Sequence, residues 1–217
     1  LTATVLLTVS STGFAADKLS IGITLQPYYS YVKAVVDDKA NIIPLVDAGF
    51  NPHNYLPQPN DLKRLNEMDA IVINGIGHDD FALKVIKASQ RDDLVVIEAN
   101  KEVPLLPAMG QSVGQGAVNP HTFVGLSTTI QKVYTIASEL SKLDPDNATF
   151  YRQNARKYAK TFRLMKRDAM LSLGELDTAG MKVATTHNAY GYILQEFGVD
   201  VAAVIEPAHG EIGRAHV

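Results

Sequence analysis

Ala70-Ile71-Val72-Ile73-Asn74-Gly75 is the stretch from which the fold can be read. Three of its four apolar residues are β-branched, and the run shows no alternation. A strand buried on both faces reads in this way, and Asn-Gly is a turn signal that ends it. A strand covered on both sides needs helices around it, and the neighbouring segments supply them. Upstream, Leu62, Leu65 and Met68 repeat at helical spacing behind Asn60, a good N-cap. Downstream, a helix is expected over residues 79–88 and a strand over 94–97. Further upstream, residues 18–25 alternate around Leu19, Ile21 and Ile23, a helix follows over 28–36, and a strand over 41–46. This β-α-β-α order argues for a parallel sheet with helices on both faces.

The second half of the chain reads differently. Residues 101–118 are irregular and rich in Pro and Gly, which suits a lid or a site wall. After His121 a helix is expected to about residue 141, with Phe123, Leu126, Ile130, Val133, Ala137 and Leu140 three and four apart. Asp144 as N-cap and Pro145 as first helical residue then open the longest pattern in the chain. A helix over 145–173 spans roughly 40 Å at 1.5 Å per residue. That length suits a strut between two lobes; an ordinary packing helix or a coiled-coil partner is the alternative. Beyond Gly180 the α/β grammar restarts, with a strand over 182–186, a helix over 188–197 stopped by Gly198, and a strand over 199–205.

The chain has 217 residues, a net charge of −3 and a pI of about 6.1, so no basic face points to nucleic acid. It contains no cysteine. Disulfides, thiolate zinc sites and thiol nucleophiles are thereby excluded for these residues, and a metal site must use His, Asp and Glu. Residues 1–15 read as the remnant of a secretory signal, with Gly13 and Ala15 at the small-residue positions of a cleavage site. The expected mature protein is exported, periplasmic and soluble, without a lipid anchor through cysteine. The tail 211–217 has no periodicity and reads as foreign to what precedes it, so His216 is given no role.

Three histidines stand at joints between expected elements. His53 lies in Asn51-Pro52-His53-Asn54-Tyr55, a loop stiffened by Pro52, Pro57 and Pro59. The tripeptide recurs as Asn119-Pro120-His121, and His187 follows a strand in Thr186-His187-Asn188. Strand ends are where open α/β sheets place ligands. Imidazole nitrogens are borderline-soft ligands that suit Zn²⁺, with a carboxylate or water completing a tetrahedron. A lone loop histidine is usually a surface residue; three in equivalent settings, two inside one rigid tripeptide, outweigh that. His78 is read first as a helix-start residue beside Asp79, with a ligand or supporting role as the alternative. His209 and Glu206 are left open, and Tyr190 and Tyr192 are expected to pack the second lobe.

These residues carry a resemblance. Asn51-Pro52-His53-Asn54-Tyr55 with Pro57, Pro59 and Asp61 resembles the first metal-ligand motif of the solute-binding proteins of zinc and manganese ABC importers (cluster A-I). Val118-Asn119-Pro120-His121 is similar to their second motif. Asp144-Pro145-Asp146-Asn147-Ala148 with Tyr151, Asn154 and Tyr158 resembles the start of their inter-lobe helix, and Thr186-His187-Asn188-Ala189-Tyr190-Gly191-Tyr192 their third ligand segment. The resemblance implies an α/β fold of two lobes, each a mostly parallel sheet flanked by helices, joined by one long rigid helix, with the second lobe truncated. The expected division is 16–143 for the first lobe, 144–176 for the helix and 177–217 for the start of the second. His53, His121 and His187 carry over as metal ligands. The family's fourth ligand is a later acidic residue. A histidine at the third position tends to accompany zinc, and glutamate manganese. Leu56, Thr122-Phe123-Val124 and the loop 101–118, which lacks a His- and acid-rich insert, depart from the family pattern.

The expectation is a non-enzymatic carrier, a monomer that captures a divalent metal and delivers it to a membrane permease. Zinc is the first choice; Mn²⁺ or Fe²⁺ are the others. Metal affinity should fall as pH drops through about 6.5, where free imidazole takes a proton. A secreted zinc-dependent hydrolase using the same three histidines is the alternative, with Glu206 as its candidate base. Against it, no His-Glu-x-x-His helix is present. A metal-free structural or adhesive protein is the third reading.

Overall fold

A computed structural model of the chain describes residues 18–51, 55–108, 118–176 and 180–206. The first sheet holds β1 (Leu19–Ile23), β2 (Ala40–Pro44), β3 (Ala70–Ile73) and β4 (Val95–Glu98), all parallel, in the order β2-β1-β3-β4. Three helices connect them: α1 (Pro27–Val36), α2 (Pro59–Asn66) and α3 (Asp80–Ser89).

Both faces of the sheet are covered, which explains the unbroken apolar run in β3. Ala70 and Val72 point into a core shared with Tyr28 and Val32 of α1. Ile71 and Ile73 point the other way, into a core shared with Leu65 of α2 and Phe81 of α3. Neighbouring β1 packs so closely under Met68 that a Cβ on Gly22 would lie 2.2 Å from the Met68 sulfur. α2 opens two residues earlier than its sequence suggests, with Gln58 rather than Asn60 as its N-cap. Pro59 is its first residue, and the Asp61 carboxylate accepts from the Gln58 N–H at 2.7 Å.

The helix expected directly after His121 is broken at its start. Thr122–Val124 form a 3-10 turn, Gly125 is extended, and only then does α4 (Leu126–Leu143) begin. Hydroxyls from elsewhere take the carbonyls that a continuous helix would need. The Tyr31 O–H donates to Phe123 O at 3.0 Å, and Thr128 Oγ1 donates to Thr122 O and Gly125 O.

α5 (Ala148–Gly174) follows a second 3-10 turn, Pro145–Asn147, and spans about 40 Å. Its first turns are not a free strut. Tyr151 and Ala155 are buried in the first core, where α5 packs on α1 and α4, and Ala159 is buried one turn on. Farther on, Leu164, Met165, Met170 and Leu171 are exposed. The second sheet pairs β5 (Lys182–His187) with β6 (Asp200–Glu206), again parallel, with α6 (Gly191–Glu196) as the crossover. Among the described residues no helix is long and apolar enough to cross a membrane.

Candidate metal site

The strand order reverses between β1 and β3, and the crevice beyond the carboxyl ends of those strands is where such sheets place ligands. A buried polar network fills that position. Asn74, the first residue after β3, is fully buried and tied in every direction. Its Oδ1 accepts from the Tyr28 O–H at 2.6 Å and from Asn100 Nδ2 at 3.0 Å. Its Nδ2 donates to Gly77 O at 2.8 Å and Pro120 O at 3.1 Å. Asp79 closes the turn, accepting from the Asn74 and Gly75 N–H groups and from Thr24 Oγ1. Burial pushes its carboxyl above the usual range, and those hydrogen bonds pull it part of the way back.

The network continues to the residue after His121. Thr122 Oγ1 donates to Asn100 Oδ1 at 2.8 Å and accepts from Lys132 Nζ at 2.9 Å. Lys132 is fully buried, its ammonium 5.6 Å from the centroids of Tyr28 and Tyr31 and 5.9 Å from that of Phe123. Burial drives its pKa well below that of free lysine. Pro120 and Thr122 are thus both held, and His121 is fixed between them.

His187 ends β5 and reaches the same point from the second sheet. Its Nε2 lies 3.0 Å from Nε2 of His121, with the rings edge to face at 85°. Two ligand nitrogens at ~2.05 Å from a tetrahedral zinc stand roughly 3.3 Å apart. The pair is therefore within a few tenths of an ångström of holding one ion between them. His78 joins them, its ring 4.3 Å from that of His121 at 71°. Its backbone is left-handed (φ 69°), and it stands beside Asp79, the residue that precedes α3.

His53 lies outside the described residues. The residues flanking it are packed: Phe50 and Tyr55 meet each other at 4.6 Å and meet Phe81 at 5.5 and 4.9 Å. The Tyr55 O–H donates to Asp61, and burial together with that carboxylate pushes its pKa up to about 12. Glu206 pairs in register with His187 across the β5–β6 ladder, and His209 is not described. Among the described residues no three His, Asp or Glu side chains converge as a metal-holding group. The observed convergence is the pair His121–His187 with His78 against it.

Sequence reasoning did not single out Asn119, which is 2 % exposed. Its Oδ1 lies 3.0 Å from the His121 N–H and 2.8 Å from His121 Nδ1, and its Nδ2 donates to Asn188 O at 3.0 Å. The repeated Asn-Pro-His tripeptide was the available signal. Tyr192 also does more than pack the second sheet: its O–H donates to Asn119 O at 2.7 Å and accepts from the Leu106 N–H at 3.0 Å.

A parallel α/β scaffold thus brings imidazoles together beyond the carboxyl ends of its strands. The chain belongs to the family described as zinc-uptake complex component A, periplasmic, whose profile matches residues 21–217. It is 24% identical over 201 residues to the high-affinity zinc uptake system protein ZnuA of Bacillus subtilis, covering 88% of this chain and 62% of that protein. It is 26% identical to the manganese ABC transporter substrate-binding lipoprotein PsaA of Streptococcus pneumoniae, covering 91% of this chain and 65% of that protein. Against the solved structure of the SBP FpvC of P. aeruginosa in complex with Ni²⁺, identity is 51% and the TM-score 0.82. That match covers 91% of this chain and 70% of the other. The chain thus spans less than two thirds of the length of these two curated relatives.

Proposed function

We propose that the protein is a periplasmic solute-binding component that captures a divalent transition metal, zinc first, between two lobes and delivers it to an ABC-type permease. The observation that carries this reading is the approach of His121, at the 3-10 turn before α4, and His187, at the end of β5, with Nε2 atoms 3.0 Å apart. We assign His121 and His187 as ligands, with His53, between Phe50 and Tyr55 in the sequence, as the third, and a later acidic residue as the fourth. Relatives named for zinc, for manganese and in complex with Ni²⁺ support the metal class and leave the ion to the donor set. Three imidazoles favour zinc over manganese, whose preferred ligands are oxygens. The lobes are proposed as 16–143 and 177 onward with 144–176 between them, the protein acting as a monomer.

The test is a competitive zinc titration with elemental analysis on the full-length protein, beside the His53→Ala/His121→Ala/His187→Ala variant. One tightly held zinc, lost in the variant, is expected. Binding that is indifferent to the three substitutions would overturn the ligand assignment. A match in affinity for manganese would overturn the choice of ion.

A further inference from the structure

The side chain of Asn119 can be oriented without ambiguity. An amide oxygen and nitrogen look alike, so the assignment must come from partners whose roles cannot change. Two such partners are present. The backbone N–H of His121 only donates and lies 3.0 Å from Oδ1; the backbone carbonyl of Asn188 only accepts and lies 3.0 Å from Nδ2. Turning the amide over would set donor against donor at one end and acceptor against acceptor at the other, in a site almost closed to water. Oδ1 is therefore the atom 2.8 Å from His121 Nδ1. That oxygen has no hydrogen to give, so the neutral ring must carry its hydrogen on Nδ1.

We infer that Asn119 sets the tautomer of His121, making Nε2, which faces Nε2 of His187, the nitrogen without the hydrogen, and ties that ring to the second sheet through Asn188. The inference rests on the metal-binding reading for its purpose, not for its geometry. Every polar group of Asn119 is engaged. Its N–H donates to Leu106 O at 2.8 Å, its carbonyl accepts from Tyr192, and its amide spans His121 and Asn188. Pro120 makes the short return possible, since its fixed φ brings the side chain at 119 back over the N–H at 121. An imidazole that binds metal through one nitrogen needs its other nitrogen to donate, and the acceptor it meets decides which nitrogen is which. Asn119 is a positioning residue of this kind. It acts on the site without touching the ion.

The test reads the ring directly. Long-range ¹H–¹⁵N correlation spectra are recorded on metal-free, full-length protein labelled at histidine, at about pH 8, where free imidazole is neutral. The His121 signals are assigned by their loss in His121→Gln. The expected pattern is Nδ1–H in the natural protein and a mixed or Nε2–H pattern in Asn119→Leu, with zinc affinity reduced about 10- to 100-fold. An Nε2–H pattern in the natural protein overturns the inference whether or not the variant folds. So does an unchanged Nδ1–H pattern in folded Asn119→Leu. A protein that shows the Nδ1–H pattern, loses it in the variant and yet binds no zinc would refute the transport reading and leave the tautomer assignment standing.

Discussion

Lys132 is the residue whose chemistry departs most from that of the free amino acid. Its ammonium lies under three rings and donates to Thr122, and burial holds its pKa well below the ordinary value. The attraction of the rings offsets part of the cost of removing the charge from water. Between its folded pKa and about 10.4 the unfolded chain binds the extra proton, so stability rises with pH across that window. Lys132→Met should therefore be more stable than the natural protein near neutral pH, by an amount that shrinks as pH approaches 10. Denaturant midpoints at three pH values check this. A constant difference, or a variant weaker at neutral pH, contradicts it. At this scale the sequence was legible only in part. His121 and His187 stood out because each is an imidazole at a joint between expected elements, and imidazoles are common metal ligands. Lys132 and Asn119 did not, because their roles depend on partners distant in sequence: Asn188 is 69 residues from Asn119.

Three helices meet at one polar node. Glu196 of α6 accepts from the Ser127 N–H at 2.8 Å and from Ser127 Oγ at 3.0 Å, at the start of α4. Lys166 of α5 reaches the same place, 3.2 Å from the Glu196 carboxylate and 2.9 Å from Ser127 Oγ. Glu196 is largely buried there, with its side chain 10% exposed. Glu196→Gln leaves Lys166 without its anion and is expected to cost about 1–3 kcal/mol. For a chain of this size that is a fall of several degrees in Tm. Lys166→Met added to Glu196→Gln should cost little more, because the two act as one unit. Strictly additive losses in thermal melts would refute the node. The elements themselves were largely legible: β3 is found where its apolar run predicts it, and α5 ends one residue beyond the expectation. The 3-10 start before α4 was not. Thr122 and Phe123 fit helical periodicity, and only the hydroxyls of Tyr31 and Thr128 reveal why their carbonyls point elsewhere.

For the molecule as a whole, the proposed ligand assignment implies that a captured ion links the end of β5 to the segment before α4. A ligand that binds only the folded state at 100 times its Kd adds about 2.7 kcal/mol of stability. Zinc should raise the melting temperature of the full-length protein accordingly, and the triple histidine variant should melt at one temperature with or without it. An equal shift in both would mean that zinc acts elsewhere. The parallel order and the restart of α/β grammar after Gly180 were legible because crossover helices separate their strands. The burial of the first half of α5 was not, since its alternation of small and aromatic residues suits a strut as well as a covering helix. That covering role has a consequence for how the chain assembles. The first sheet is built by short crossovers, but one of its faces is completed by helices that arrive much later. Tyr31 meets Thr129 across 98 residues, and Asn154 meets the Val35 carbonyl across 119. Closing such long loops is the slow and entropically costly part of building a fold. The docking of α4 and α5 is thus expected to be the late event. A growing chain that has formed only its four strands and their crossovers presents an uncovered, adhesive face until that hairpin returns.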